Sequence, residues 1–176
     1  RDVADTIDAA EFVRANGIAD SGGLFLTGSS SGGYTVLTTL TETDIFRGAA
    51  SYYGICDLRA LQLTTHKFES GYLSTLVGAA LEEDEELYLE RSAISRAERI
   101  TTPLLLLQGA EDKVVPPDQS ERIAESLRER GVRVEYILFA GEGHGFRRGD
   151  TIIRAFNAEL AFYQSLLAGG NRRAES

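Results

Sequence analysis

Four consecutive leucines, Leu104-Leu105-Leu106-Leu107, follow Pro103 directly. The run falls far short of the roughly 20 apolar residues that a membrane span needs. It reads as a strand. Because a strand alternates its side chains, four leucines in a row require both faces to be covered. A parallel sheet with helical crossovers meets that requirement. The rest of the chain supplies the crossovers. Val3, Ile7, Ala10 and Val13 recur at helical spacing up to Gly17, and Leu24-Phe25-Leu26-Thr27 then reads as a short buried strand. Tyr34, Val36, Leu37 and Leu40 suggest a second helix, and residues 48–53 a second strand. Beyond the leucines, Pro116-Pro117 precede a helix carrying Ile123, Ala124 and Leu127 that ends at Gly131. Val134-Glu135-Tyr136-Ile137-Leu138 is the last strand. A final amphipathic helix places Ile153, Phe156, Leu160, Tyr163 and Leu167 on one face. The alternation predicts an α/β fold of about four parallel strands with flanking helices.

Residues 57–100 break the pattern. Leu58, Leu61 and Leu63 suggest one short helix and Tyr72, Leu73, Leu76 and Val77 another, so the stretch is a candidate for a small helical insert over a site. Its acidic run, Glu82-Glu83-Asp84-Glu85-Glu86, reads as a solvated face near a helix N-terminus. No linker or repeat divides residues 1–176, which read as a single domain. Net charge is −9 with no basic stripe, which predicts no nucleic-acid partner. The one cysteine, Cys56, excludes an internal disulfide framework and reads as a small packing residue. A lone cysteine fits a reducing compartment, so a cytoplasmic location is expected. No signal segment opens the chain, and no membrane partner is expected. Arg1 stands first and methionine is absent throughout, which reads as a cut end.

Gly28-Ser29-Ser30-Ser31-Gly32 fits G-x-S-x-G, in which a nucleophilic serine sits on a sharp strand-to-helix turn. Gly28, Gly32 and Gly33 leave room for the turn and for substrate. Ser29 and Ser31 lack glycines at both offsets. A flexible loop or a phosphate-cradling turn is the plainer alternative, although no Walker lysine follows. A serine hydroxyl needs a general base, normally histidine. His144 lies in the glycine-rich loop Gly141-Glu142-Gly143-His144-Gly145-Phe146, between the last strand and the last helix. Loops at the C-terminal ends of parallel strands build the site in open α/β sheets. His66 falls in the irregular middle segment and reads as structural or exposed. A carboxylate must orient the histidine. Asp112, on the loop after the leucine strand, is the candidate; Glu111 is its rival, and helix capping is its plainer role. The order Ser30, Asp112, His144 is the α/β-hydrolase order. The Ser31 backbone N–H supplies one oxyanion donor. The second donor in such folds comes from an earlier loop, and only a helix and one strand precede Ser30 here. Arg147-Arg148 reads as surface charge, with a peptide carboxylate as the alternative partner.

These motifs resemble those of the prolyl oligopeptidase family of serine peptidases. Residues 27–34 look like its G-x-S-x-G-G-Y elbow, residues 108–116 like its aspartate loop G-x-x-D-x-x-V, and residues 141–146 like its E-G-H-G-F histidine loop. Gly54-Ile55-Cys56-Asp57-Leu58 and Thr65-His66-Lys67-Phe68-Glu69 look like the acylaminoacyl-peptidase and dipeptidyl-peptidase-like branch. The resemblance implies the C-terminal half of an α/β-hydrolase domain acting on peptides without metal or organic cofactor. It implies that the N-terminal half of that domain, and a β-propeller before it, lie outside this chain. The isolated chain is then expected to be weakly active or inactive. Its first strand is expected to present a bare sheet edge, a template for self-association or for the missing half. A carboxylesterase on the same fold and a non-catalytic interaction module remain open alternatives.

Overall fold

A computed structural model describes residues 1–20, 22–64 and 70–170. The leucine run is the third strand of a four-stranded sheet. Its strands are β1 (Phe25–Ser29), β2 (Gly48–Tyr52), β3 (Leu104–Gly109) and β4 (Val134–Phe139), in spatial order β1-β2-β3-β4 and all parallel. Every residue of β3 is buried. Leu104 and Leu106 join one core and Leu105 and Leu107 the other, as the alternation of a strand requires. Ala49 and Ala50 of β2 divide in the same way.

The first core lies under α1 (Asp2–Ala15), α2 (Ser31–Leu40) and α6 (Asp118–Glu129), and is filled by Ala10, Val36, Leu37, Ile123 and Leu127 among others. The second lies under α7 (Gly149–Gly170), which contributes Ala155 and Phe162. Of the stripe read from the sequence, Tyr163 packs against this core, whereas Ile153, Phe156, Leu160 and Leu167 are 44–64 % exposed. The helix carries two apolar stripes. The one with Ala155 wins because its small residue permits close approach, and because three polar groups anchor that side. Tyr52 and Tyr163 donate to Glu159, and the Arg47 guanidinium donates to the Leu166 carbonyl.

Between β2 and β3 run α3 (Leu58–Thr64), α4 (Ser70–Val77), α5 (Glu85–Glu90) and a 3-10 segment (Ala93–Arg99). The first two match the sequence reading, the start of α5 was signalled by the acidic run, and the 3-10 segment was not expected. Asp84 caps α5 by accepting from the Leu87 N–H, so the acidic run does mark a helix N-terminus. Leu58, Val77, Leu81 and Tyr88 form a small core against Tyr34 of α2 and Ile55. No helix among the described residues is long and apolar enough to cross a membrane.

Candidate active site

All the loops that matter leave the C-terminal ends of strands. The turn from β1 to α2 has Ser30 at its apex, with φ 54° and ψ −116°. A non-glycine residue in that region costs about 1–3 kcal/mol and persists only where its surroundings hold it. They do so here. The Ser30 N–H donates to the Tyr52 carbonyl at 2.9 Å, and the Tyr34 N–H donates to the Ser30 carbonyl at 2.9 Å. Gly28 is required because a Cβ there would stand 2.4 Å from the Gly32 carbonyl oxygen. Gly33 is required because a Cβ would stand 2.7 Å from Gly54 Cα. A Cβ at Gly32 would meet open space. Ser31 opens α2, where the first N–H groups have no intrahelical acceptor and the helix dipole is positive.

The structure brings Ser30, His144 and Asp112 together. Ser30 Oγ lies 2.8 Å from His144 Nε2, and His144 Nδ1 lies 2.8 Å from Asp112 Oδ2. With the ring proton on Nδ1, the serine hydroxyl donates to Nε2 and Nδ1–H donates to the carboxylate. This tautomer follows from the hydrogen-bond network. The Asp112 side chain is fully buried, and a buried carboxylate is tolerated only with its oxygens satisfied. Oδ1 accepts from the Val114 and Val115 N–H groups, each at 2.9 Å. Oδ2 also accepts from Gln108 Nε2 at 3.3 Å. The rival, Glu111, is exposed, and its N–H donates to the Glu142 carbonyl. Ser29 is exposed at the strand end, and His66 lies outside the described residues.

Three residues of the quoted motifs have supporting roles that the sequence reading did not assign. Gln108 is fully buried and ties Asp112, the Val115 carbonyl and Ser120 together. A lone amide closing an all-leucine strand was its available signal. Glu142 is buried and accepts from the Arg147 and Arg148 N–H groups at 2.9 and 3.1 Å, which closes the histidine loop onto the start of α7. The Arg147 N–H, helped by the Thr151 side chain and the Arg148 N–H, holds its carboxyl below the ordinary value. Gly109 lets that loop cross the end of β3, since a Cβ there would stand 2.5 Å from the Gly143 carbonyl oxygen. Two other expectations resolve plainly. Cys56 is buried, its Sγ–H donates to the Gln119 carbonyl, and burial pushes the thiol up to about 12. Arg148 pairs with Asp150 at the surface, and Arg147 is exposed.

Chemically, the arrangement can take a proton from a hydroxyl as its oxygen attacks a carbonyl, then return that proton to a leaving group. The comparisons agree with that chemistry. The chain is 32% identical to dipeptidyl aminopeptidase BIII of Pseudoxanthomonas mexicana, over 97% of this chain and 25% of that protein. It is 28% identical to an acylamino-acid-releasing enzyme of Arabidopsis thaliana, over 89% of this chain and 21% of that one. Among solved structures, a Mycobacterium tuberculosis puromycin-hydrolyzing peptidase superposes with TM-score 0.90 at 48% identity, covering 94% of this chain and 25% of that one. The chain thus spans about a quarter of the length of the relatives it matches. The model of the prolyl oligopeptidase family matches residues 1–170. On the fold, the strand-end loops and this match together, the chain belongs to the prolyl oligopeptidase family.

Proposed function

We propose that this chain carries the nucleophile, base and orienting acid of a serine peptidase that cleaves short peptides through an acyl-enzyme. The observation that carries the reading is the pair of 2.8 Å contacts linking Ser30 Oγ to His144 and His144 to buried Asp112. In this reading Ser30 Oγ forms a bond to the carbonyl carbon while His144 Nε2 takes the hydroxyl proton. Asp112 holds the ring and stabilises the imidazolium. The negative oxygen of the tetrahedral intermediate accepts from the Ser31 N–H at the start of α2. His144 then gives its proton to the departing amine, whose bond to carbon breaks. Water loses a proton to His144, attacks the acyl carbon, and the acid leaves as Ser30 recovers its hydrogen. No step calls for a metal or an organic cofactor.

The substrate class rests on what the relatives are named for: release of dipeptides, release of acylated amino acids, and hydrolysis of puromycin. We further propose that the preceding part of the protein pairs with the free edge of β1 and supplies the second oxyanion donor. A β-propeller before it would limit substrate size, and the helical stretch 57–100 would border the substrate.

The test uses the full-length protein. A fluorophosphonate probe should label it at Ser30, and Ser30→Ala should abolish both labelling and turnover. Labelling that survives Ser30→Ala sinks the assignment. A panel of dipeptide and N-acyl-aminoacyl anilides beside simple esters separates peptidase from esterase. Turnover of the esters alone would select the esterase.

A further inference from the structure

Two non-glycine residues among those described hold positive φ, Ser30 at 54° and Tyr53 at 39°. The first is explained by the elbow. The second is a bulky aromatic for which the reaction just described has no use, and strained backbone of this kind clusters at functional sites. The surroundings show what the conformation achieves. The Tyr53 N–H donates to the Leu107 carbonyl at 2.7 Å, so the backbone stays pinned to β3 one residue past the end of β2. The next residue, Gly54, is pressed against α2, where a Cβ would stand 2.7 Å from the Gly33 carbonyl carbon. Held on both sides, the chain turns through positive φ, and the Tyr53 ring comes to rest against the histidine loop. Its centroid is 4.9 Å from that of His144, with 63° between the planes, and 5.4 Å from that of Phe146, with 81°. Both are edge-to-face contacts, the geometry that aromatic pairs favour.

We propose that Tyr53 is a positioning residue for His144, an inference that rests on the serine peptidase reading. The need for it arises during the reaction. Before attack, the imidazole is held at Nε2 by Ser30 and at Nδ1 by Asp112. Once Ser30 Oγ is bonded to the acyl carbon it no longer donates to Nε2, and of the two resting hydrogen bonds the one to Asp112 remains. One hydrogen bond fixes a point and leaves the ring plane free to swing. The Tyr53 ring meets the imidazole edge to face and restrains that swing, keeping Nε2 aimed first at the leaving nitrogen, then at the incoming water. Its contribution is aromatic surface, so the hydroxyl is dispensable.

Three variants of the full-length protein test this, with Ser30→Ala alongside. Tyr53→Phe should keep kcat within about twofold. Tyr53→Leu removes the aromatic contact and should lower kcat by about tenfold or more with KM within about twofold. Tyr53→Gly relieves the positive φ, so its melting temperature should be no lower than that of Tyr53→Leu while its kcat is at least as low. A structural residue would lose activity only as it loses stability. An unchanged kcat in Tyr53→Leu overturns the proposal, as does a loss confined to KM, or a Tyr53→Phe defect as large as that of Tyr53→Leu. If Ser30→Ala retains turnover, the peptidase reading itself falls. An inactive Ser30→Ala beside a fully active Tyr53→Leu removes Tyr53 alone.

Discussion

Both oxygens of Asp112 are committed, Oδ1 to two backbone N–H groups and Oδ2 to His144 and Gln108. That arrangement decides what Asp112→Asn does. An amide that keeps its oxygen on the two backbone donors must turn its NH2 toward His144 Nδ1. The imidazole then carries its proton on Nε2 and can no longer accept from Ser30. In the full-length protein kcat should fall by about 10³–10⁴-fold with little change in KM. Steady-state kinetics check this, and a loss below about tenfold would mean that His144 is oriented by something else. Glu142 yields a prediction in pH. Its folded value lies below the ordinary 4.5, so its stabilising contribution is complete above that pH and is lost as pH falls through the folded value. Glu142→Gln should melt below wild type near about pH 6, and the two curves should converge as pH falls through the folded value. Curves that stay parallel over that range count against the assigned role. At this scale Ser30, Asp112 and His144 were legible because each sits in a short motif whose glycines are dictated by local geometry. The roles of Gln108, Glu142 and Tyr53 were not. Each acts across a gap that only the folded backbone closes, from β3 to the aspartate loop, from the histidine loop to α7, and from β2 to His144.

The final helix shows why an element's existence is easier to read than its orientation. Ile153, Phe156, Leu160 and Leu167 have sound helical spacing, and they face outward. Ala155 and Phe162 have spacing just as sound, and they face the sheet. Periodicity cannot choose between two apolar stripes; a small residue at the closest approach and a carboxylate with two tyrosine donors can. The choice is measurable in the isolated chain at protein concentrations low enough to keep it monomeric. Phe162→Ala should destabilise it by about 3–5 kcal/mol. Phe156→Ala should change it by less than about 0.5 kcal/mol, the usual range for exposed positions. Urea unfolding of the two variants compares them directly, and equal losses would mean that α7 is turned the other way. The loop that follows β2 is packed just as tightly against α2. Gly54→Ala places a methyl group 2.3 Å from Ser51 Oγ and 2.7 Å from the Gly33 carbonyl carbon. Overpacking of that kind costs about 1–3 kcal/mol, and here it also displaces the elbow, so serine labelling in the full-length protein should slow as stability drops. The acidic run showed where α5 begins, but its extent and the 3-10 segment stayed illegible because a capping side chain and local packing define them, with too few residues for a periodic pattern.

At the scale of the molecule, one boundary is built differently from the rest. β1 pairs with β2 on one side, and its other side has no strand among the described residues. Flanking that side are two apolar surfaces. One is a groove formed by Ala9, Val13, Leu24, Leu26 and Phe46. The other is a cavity of about 420 Å³ beside the elbow, where Ile152 and Phe156 of α7 face Thr27 and Tyr52. A free strand edge between apolar surfaces is a template for pairing. In the proposed full-length arrangement the preceding segment covers it. The chain alone has only copies of itself to offer. Net charge opposes that contact: at −9, two copies repel at long range, and salt screens the repulsion while leaving the edge intact. The isolated 19.2 kDa chain should therefore appear in light scattering as a species larger than a monomer, and the larger fraction should grow as salt rises toward about 0.5 M. Phe156→Glu with Leu160→Glu adds charge to the outward stripe of α7 and should shift the population back toward monomer. A well-folded monomer that persists at every salt concentration would show that the edge is closed by some other means. Mixing in the preceding segment as a separate polypeptide should dissolve the self-association and, if that segment brings the second oxyanion donor, restore turnover in the same titration.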